Sequence, residues 1–565
     1  MSPSFFAILQ RSEGTRSFAP RLLHNRWNRK AAKLIRMVKT PLSKRLLTAI
    51  LLLTGLTAAA HAQDEPGRVV LVLPFDNRSG NPSLNWIGDS FPDTLNKRLE
   101  TANFLTISQD DRNFAYDHLG LPIGFKPSRA TALRIAQQLD ANFIVVGSFI
   151  VNNDKISIQA QVLSVEALKL SAPIQDGSEL PRLYDAENAI AWKVARSIDP
   201  HFNVSEATFL FSGGAVPLPA FENYIRGTNA TTSDERVKRL QTAVSIAPTY
   251  SAALLALGKE QYAARSYADA DATLSKVPQT DRLALEANFY LGLARFNSAD
   301  YSGAATAFSF VAQRLPLPEV VNDQGVALAR QNKDGAALFQ RASTADPNDE
   351  DYHYNLAISL FRRGDTVGAL KEADAALKLK PKDNEAGALR AHIATAPAGT
   401  RLVSNETFAP VERIRRNYSE TGFRQAAFQL DQMRAMRMAT LPADQQAAQY
   451  NDLGLGYINQ GLLPEAEQQF ESAIAADPNN ALAHAGLAQV REASGSAKEA
   501  RSEANFSIKL KPNAAAYIVL ARLDLAANNL PGAASDTSQA LKLEPSNSAA
   551  TAMRTALQQR GVQVP

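Results

Sequence analysis

The sequence predicts two architectures in one chain: an α/β amino-terminal domain with a mixed sheet over residues 67–200, followed by an all-α solenoid of antiparallel helix pairs. Three observations predict them. Residues 155–165 alternate apolar and polar after an apolar run at 142–151, the mark of a hairpin. Prolines recur at Pro347 and Pro381, and again at Pro478, Pro512 and Pro545, at intervals of 34 or 33 residues. Glycines recur at Gly258, Gly292 and Gly325 with the same spacing, and a fixed period of this length is the signature of stacked repeats.

The 565 residues are 45% hydrophobic and 21% charged, a globular composition and not a disordered or polytopic one. The net charge of +4 is unevenly placed. Residues 1–62 hold eleven Lys and Arg against the single acid Glu13, leaving 49 basic and 55 acidic residues beyond them. A chain without that leader is mildly acidic, which argues against nucleic acid as a partner. The absence of cysteine excludes disulfides, thiolate zinc sites, a cysteine nucleophile and an acylated cysteine anchor.

From Met37, Lys39, Lys44 and Arg45 precede the apolar run Leu46–Ala60, and Ala60-His61-Ala62 follows. Basic flank, short apolar core and small-residue cleavage site together read as a bacterial signal peptide over residues 37–62. Fifteen apolar residues fall short of the roughly 20 that span a bilayer, so no integral span is expected once the leader is cut. Residues 1–36 read as a basic extension or a start-site artefact.

In the first domain, Arg68–Phe75 reads as a strand buried on both faces. Trp86–Leu99 reads as a helix with Ile87, Phe91, Leu95 and Leu99 on one side, and Phe104–Ile107 as a second strand. Ser128 caps a helix running to Leu139; the hairpin follows, and a helix over Tyr184–Ile198 closes the order β-α-β-α-β-β-α. The segment LPFDNRSGNPSLNWIGDSFPDTLNKRL and the later AQQLDANFIVVGSF carry Pro74, Phe75, Asn77, Ser79, Gly80, Gly88, Leu95, Ala136, Leu139 and Gly147. In these positions the domain resembles the TolB amino-terminal-type family. That resemblance implies a binding and assembly module; the β-propeller of TolB has no counterpart here.

Residues 201–220 read as a linker. In the solenoid, Leu453-Gly454, Tyr457, Gly461, Ala466, Phe470, Ala473 and Pro478 resemble the tetratricopeptide repeat (TPR) pattern. Helix pairs are expected near 221–250, 251–284, 285–318, 319–349 and 350–383 as a first array, and near 447–480, 481–514 and 515–547 as a second within 447–550. Residues 384–446 break the period, as a diverged repeat or an insertion, with a helical pattern at Phe423–Met438. Residues 551–565 read as a tail.

Chemistry is sparse. His118, His201, His353, His392 and His484 lie in separate units with no metal-ligand spacing, and no phosphate-binding, dinucleotide or nucleophile motif occurs in context. No catalytic residue, metal or cofactor is expected. Asp76–Asn81 reads as a polar turn or an anion-binding loop, and Asp110-Asp111 as a solvated loop.

Stacked helix pairs present their first helices on a concave face. By repeat register, the groove candidates are Lys259, Tyr262, Phe289, Phe296, Tyr354, Ile358, Phe361, Arg362, Asn451 and Asn459, an apolar and aromatic trough suited to a peptide. The expected function is a non-catalytic scaffold, exported to the periplasm and envelope-associated, holding a protein partner in that groove. A sensor or carrier that binds a ligand or envelope polymer through the α/β domain is the other reading.

Overall fold

In the computed structural model, residues 68–122, 125–403, 408–416 and 433–564 are described. The signal peptide at 37–62 and the extension before it lie outside them, as do residues 423–432 of the helix expected at 423–438.

The sheet has six strands: β1 (Val69–Val72), β2 (Asp76–Asn77), β3 (Leu105–Thr106), β4 (Phe143–Asn152), β5 (Lys155–Ser164) and β6 (Ile174–Glu179). Their order is β3-β1-β4-β5-β6, with β2 also on β4. β1 is parallel to β3 and β4, whereas β4-β5 and β5-β6 are antiparallel, so the sheet is mixed. Asn153 and Asp154, both at positive φ, make the tight β4-β5 turn.

Helices cover both faces. α1 (Asn85–Thr101) and α4 (Leu183–Ile198) bury Ile87, Phe91, Leu95, Leu99, Ile190 and Val194 against Val70, Val72, Val145 and Phe149. α2 (Gln109–His118) and α3 (Arg129–Gln138) cover Leu71, Leu73, Ile144 and Leu163 on the other side. Phe75 explains two of the motif glycines. A Cβ on Gly88 would lie 2.3 Å from the Phe75 carbonyl oxygen, and one on Gly147 2.3 Å from the Phe75 ring. Between α1 and α4, Glu187 is fully buried and accepts a hydrogen bond from Ser90 Oγ. Desolvation pushes its carboxyl up to about 8.

Two expectations need correction. Asp110 and Asp111 are not in a loop; they form the first turn of α2, where the capping Ser108 hydroxyl accepts from Asp111 N and carboxylates suit the helix dipole. Residues 76–81 have the Asx bonds of the expected polar turn, with Asn77 Oδ1 accepting from Ser79 N at 2.9 Å and Asn81 Oδ1 from Ser83 N at 3.0 Å, and Asp76–Asn77 also pair as β2. Residues 201–220 are not a spacer. They bury Phe202, Val204 and Phe209 and include α5 (Glu206–Phe211), whose flanks bond to residues far along the chain. Ser205 N donates to Glu467 Oε1 at 3.1 Å, and the Thr208 and Ser494 hydroxyls lie 3.1 Å apart.

The solenoid's first array comprises α6 (Leu218–Thr228) with α7 (Ser233–Ile246), α8 (Ser251–Ala263) with α9 (Tyr267–Leu274), α10 (Ala284–Asn297) with α11 (Tyr301–Arg314), α12 (Pro318–Ala329) with α13 (Ala336–Ala345), and α14 (Glu350–Arg363) with α15 (Thr366–Leu379). A single helix, α16 (Asn384–Thr395), then covers the exposed end. The second array pairs α17 (Ala443–Asn459) with α18 (Leu463–Ala476), α19 (Ala481–Ala493) with α20 (Ala497–Leu510), and α21 (Ala514–Ala526) with α22 (Leu530–Leu543). Residues read as a tail carry most of a final helix, α23 (Ser548–Gln559), which buries Ala550 and Leu557.

Local chemistry explains the period. α13, α15, α18, α20 and α22 each end two residues before a periodic proline, whose neighbour is biased away from helical backbone. Each periodic glycine lets a bulky side chain of the paired helix press onto its backbone: Cβ atoms on Gly292, Gly325 and Gly454 would meet Phe308, Phe339 and Phe470 at 2.6, 2.7 and 2.7 Å. Phe470 is closed from the other side by Gly486, where a Cβ would lie 2.2 Å from the ring.

Candidate functional site

In the first array, the first helices α12, α14 and α16 stand side by side. Across them lies residues 408–416 of the chain itself, neither helical nor paired into the sheet. The groove holds this segment by its main chain. Asn322 Nδ2 and Asn355 Nδ2 both donate to the Arg413 carbonyl, at 3.0 and 2.8 Å. Arg413 N donates back to Asn355 Oδ1 at 2.7 Å, and Arg415 N donates to Asp323 Oδ1 at 2.8 Å. Asn355 Nδ2 also donates to Asn322 Oδ1 at 2.8 Å, which locks the two amides in one orientation.

The side chains are sorted by charge along the groove. At the carboxyl-terminal ends of α12 and α14, Arg330 and Arg362 both grip the fully buried Glu412, Arg330 at 2.8 Å. At the amino-terminal ends of α14 and α16 the groove is acidic. Arg413 forks onto Asp383 at 2.7 and 2.8 Å and also reaches Asp351 at 2.8 Å and Glu385 at 2.7 Å, with its guanidinium 4.0 Å from the centre of the Tyr354 ring. Arg415 pairs with Asp349 and Asp351. Hydrogen bonds from Arg413 hold the Asp383 carboxyl down at about 2. Desolvation raises Asp323 well above the usual range. Ile414 and Phe296 both pack against the cluster of Val326, Phe339 and Leu356, and Phe408 stacks on His392 at 3.7 Å.

The ten groove candidates divide by placement. Arg362 and Tyr354 touch the bound segment, and Phe296 packs against the same cluster as Ile414. Tyr262 rests on Tyr290, and Lys259 pairs with Glu286 at 2.6 Å, both in the preceding units. Asn459 is exposed. Phe289, Ile358 and Phe361 are buried between helices, as is most of Tyr354. The trough expected to be apolar and aromatic is therefore lined by amides and charges where it is occupied. The reason is a rotation about the helix axis: on α14, residues 354, 358 and 361 form the stripe against the paired helices, whereas 351, 355 and 362 form the adjacent stripe facing the groove. Asn451 sits in the second array at the position Asn322 holds in the first; it is buried, and its Oδ1 has no hydrogen-bond partner among the described residues.

Sequence reasoning missed Asn322, Asp323, Asn355 and the acidic pair Asp351 and Asp383. One signal was present: Asn288, Asn322 and Asn355 recur at the repeat period, 34 and 33 residues apart, and Arg330 and Arg362 lie 32 apart. The histidines go elsewhere. His353 and His484 each lie between a second-helix glutamate, at 2.6 and 2.7 Å, and the carbonyl of a periodic proline, at 3.1 and 3.2 Å. No group of residues able to hold a metal occurs among the described residues. No helix among them is long and apolar enough to cross a membrane.

Residues 322–384 and 451–515 match the family model for the tetratricopeptide repeat. These segments are tetratricopeptide repeats. Both matches begin at or beside the groove asparagine of a first helix, Asn322 in one array and Asn451 in the other. Among solved structures, the TPR protein YrrB, described as having an unusual peptide-binding site, is 14% identical, covering 37% of this chain and all of its own, with a TM-score of 0.27. MamA is 18% identical over 26% of this chain and 90% of its own, at 0.26. The LpoB carboxyl-terminal domain from Salmonella enterica is 19% identical over 22% of this chain and 90% of its own, at 0.18. No curated protein matches the chain. The TPR family match suggests a scaffold for protein–protein interaction.

Proposed function

We propose that this protein is an exported, non-catalytic scaffold of the bacterial cell envelope that holds a protein partner in the concave groove of its first TPR array. The observation carrying this reading is the grip on Arg413: its carbonyl and amide are both taken by asparagine side chains of adjacent first helices. Asparagines that satisfy main-chain groups recognise extended polypeptide whatever its side chains, and the charge pockets beside them add selectivity. The reading of export to the periplasm is supported by the basic flank, apolar run and Ala60-His61-Ala62 site. The TolB-like residues around Phe75 suit the amino-terminal domain to docking a second envelope component.

The test is capture of partners from periplasmic extract by the tagged mature chain, compared with an Arg330→Ala, Arg362→Ala variant that keeps its helical circular dichroism. Loss of a specific partner in the variant supports the groove; equal recovery removes it. Fractionation of cells checks export independently, and a full-length chain with its leader intact in the cytoplasm rules it out.

A further inference from the structure

We infer that residues 412–415 are an intramolecular ligand of the TPR groove, and that a partner binds there by presenting an extended segment of acid, arginine, aliphatic and arginine in succession, displacing them. This deepens the proposed function and rests on it.

Three observations carry the inference. First, the segment is bound on the solenoid and is not part of its framework. The helix pairs close their own cores through Phe308 against Gly292 and Phe339 against Gly325, while the segment contributes Ile414 at the edge of those clusters and leaves Val411 and Arg416 exposed. Second, the groove's charges are complementary to this segment in order and spacing. Arg330 and Arg362 converge on Glu412, and Asp349, Asp351, Asp383 and Glu385 converge on Arg413 and Arg415. An empty groove would leave four carboxylates crowded at one end and two guanidinium groups at the other, so it needs an occupant of this polarity. Third, the fit is incomplete. Asp323 is fully buried and its Oδ2 has no hydrogen-bond partner among the described residues, so a ligand offering one more polar partner there would bind better than the segment now in place.

Tethering sets the scale of the competition. A segment held on the same chain has an effective concentration of about a millimolar, and it weakens an incoming peptide by the ratio of that concentration to the intrinsic dissociation constant. Removing the segment's own anchors should restore that factor.

The experiment uses the full chain and a fluorescent peptide with the sequence of residues 408–416. A variant carrying Glu412→Ala, Arg413→Ala and Arg415→Ala should bind the peptide at least ten-fold more tightly than the unaltered chain. It should fail to bind a peptide carrying E412R, R413E and R415E. Equal affinity for the two chains, no binding by a variant with unchanged circular dichroism, or equal binding of the charge-reversed peptide each overturns the inference. Should the variant not fold, the unaltered chain is incubated with millimolar isotope-labelled peptide and followed by hydrogen exchange. Loss of protection at the chain's own Arg413 and Arg415 amides supports displacement, and unchanged protection overturns it. A partner captured by the full chain with no peptide competition removes the intramolecular ligand and leaves the scaffold standing.

Discussion

Asn322 and Asn355, 33 residues apart on neighbouring first helices, donate to the same carbonyl oxygen, that of Arg413. The pair is asymmetric in consequence. Asn355 also accepts from Arg413 N, so Asn355→Ala strands that amide and Asn322 Oδ1 and leaves the carbonyl with one donor of two, whereas Asn322→Ala leaves the two-way bond of Asn355 intact. We expect Asn355→Ala to cost about 1–3 kcal/mol and Asn322→Ala less. Chemical denaturation ranks the two, and a reversed ranking would mean that the segment is not held through Asn355.

Phe470 fills the space between Gly454 and Gly486, so Gly486→Ala forces a methyl into the ring. The expected cost is about 1–3 kcal/mol, with partial rescue by Phe470→Leu, which removes the clashing atoms. Thermal midpoints of the single and double variants check this; additive losses would place the strain elsewhere.

Glu187 adds a pH dependence of known sign. Burial raises its folded-state value from the ordinary 4.5 to about 8. Its contribution is fully favourable below about pH 4.5 and is lost as pH rises toward about 8, because the folded state must either keep the proton or bury the charge. Glu187→Gln should therefore raise the unfolding midpoint at pH 8 and leave it nearly unchanged at pH 4.

His353 acts through the same linkage in a different window. Burial opposes its charge, but the Glu372 carboxylate and the Pro347 carbonyl together outweigh burial and raise its value. The stabilisation is complete below the ordinary 6.5 and disappears as pH rises through the raised folded value. The midpoint difference between the unaltered chain and His353→Gln should be larger at pH 5.5 than at pH 8.5; a constant difference would leave Glu372 as a packing neighbour alone.

Glu467 joins the α/β domain to the second array. It is fully buried, 2.7 Å from Arg491, and accepts from Ser205 N and Oγ. Glu467→Ala strips Arg491 of that partner at a cost of about 3 kcal/mol and should split a single unfolding transition into two. Calorimetry would show one shifted peak instead if the two parts are joined mainly by other contacts.

What could be read beforehand followed from local rules. The hairpin around Asn153-Asp154 and the helices ending before Pro347 or Pro478 depend on residues a few positions apart, so their signals lie on the page of the sequence. β6 escaped notice because Ile174–Glu179 is a polar edge strand whose burial alternates only weakly, and β2 because Asp76 and Asn77 have turn chemistry. The groove candidates on α14 fall on the stripe beside the one that meets residues 412–415, since aromatic residues such as Tyr354 serve packing and recognition alike. The occupant was invisible for a further reason: Glu412 to Arg415 carries no period, and its meaning lies in Asp351, Asp383 and Arg330, from 30 to 82 residues away.

The bond from Ser205 to Glu467 spans 262 positions, and that distance sets a waiting time during synthesis. At about 5–20 residues added per second, the ribosome needs roughly 13–50 s to supply the acceptor after the donor has emerged. For that interval the short helix bearing Phe209 lacks its later neighbours, making it the place where a nascent-chain chaperone has most to protect.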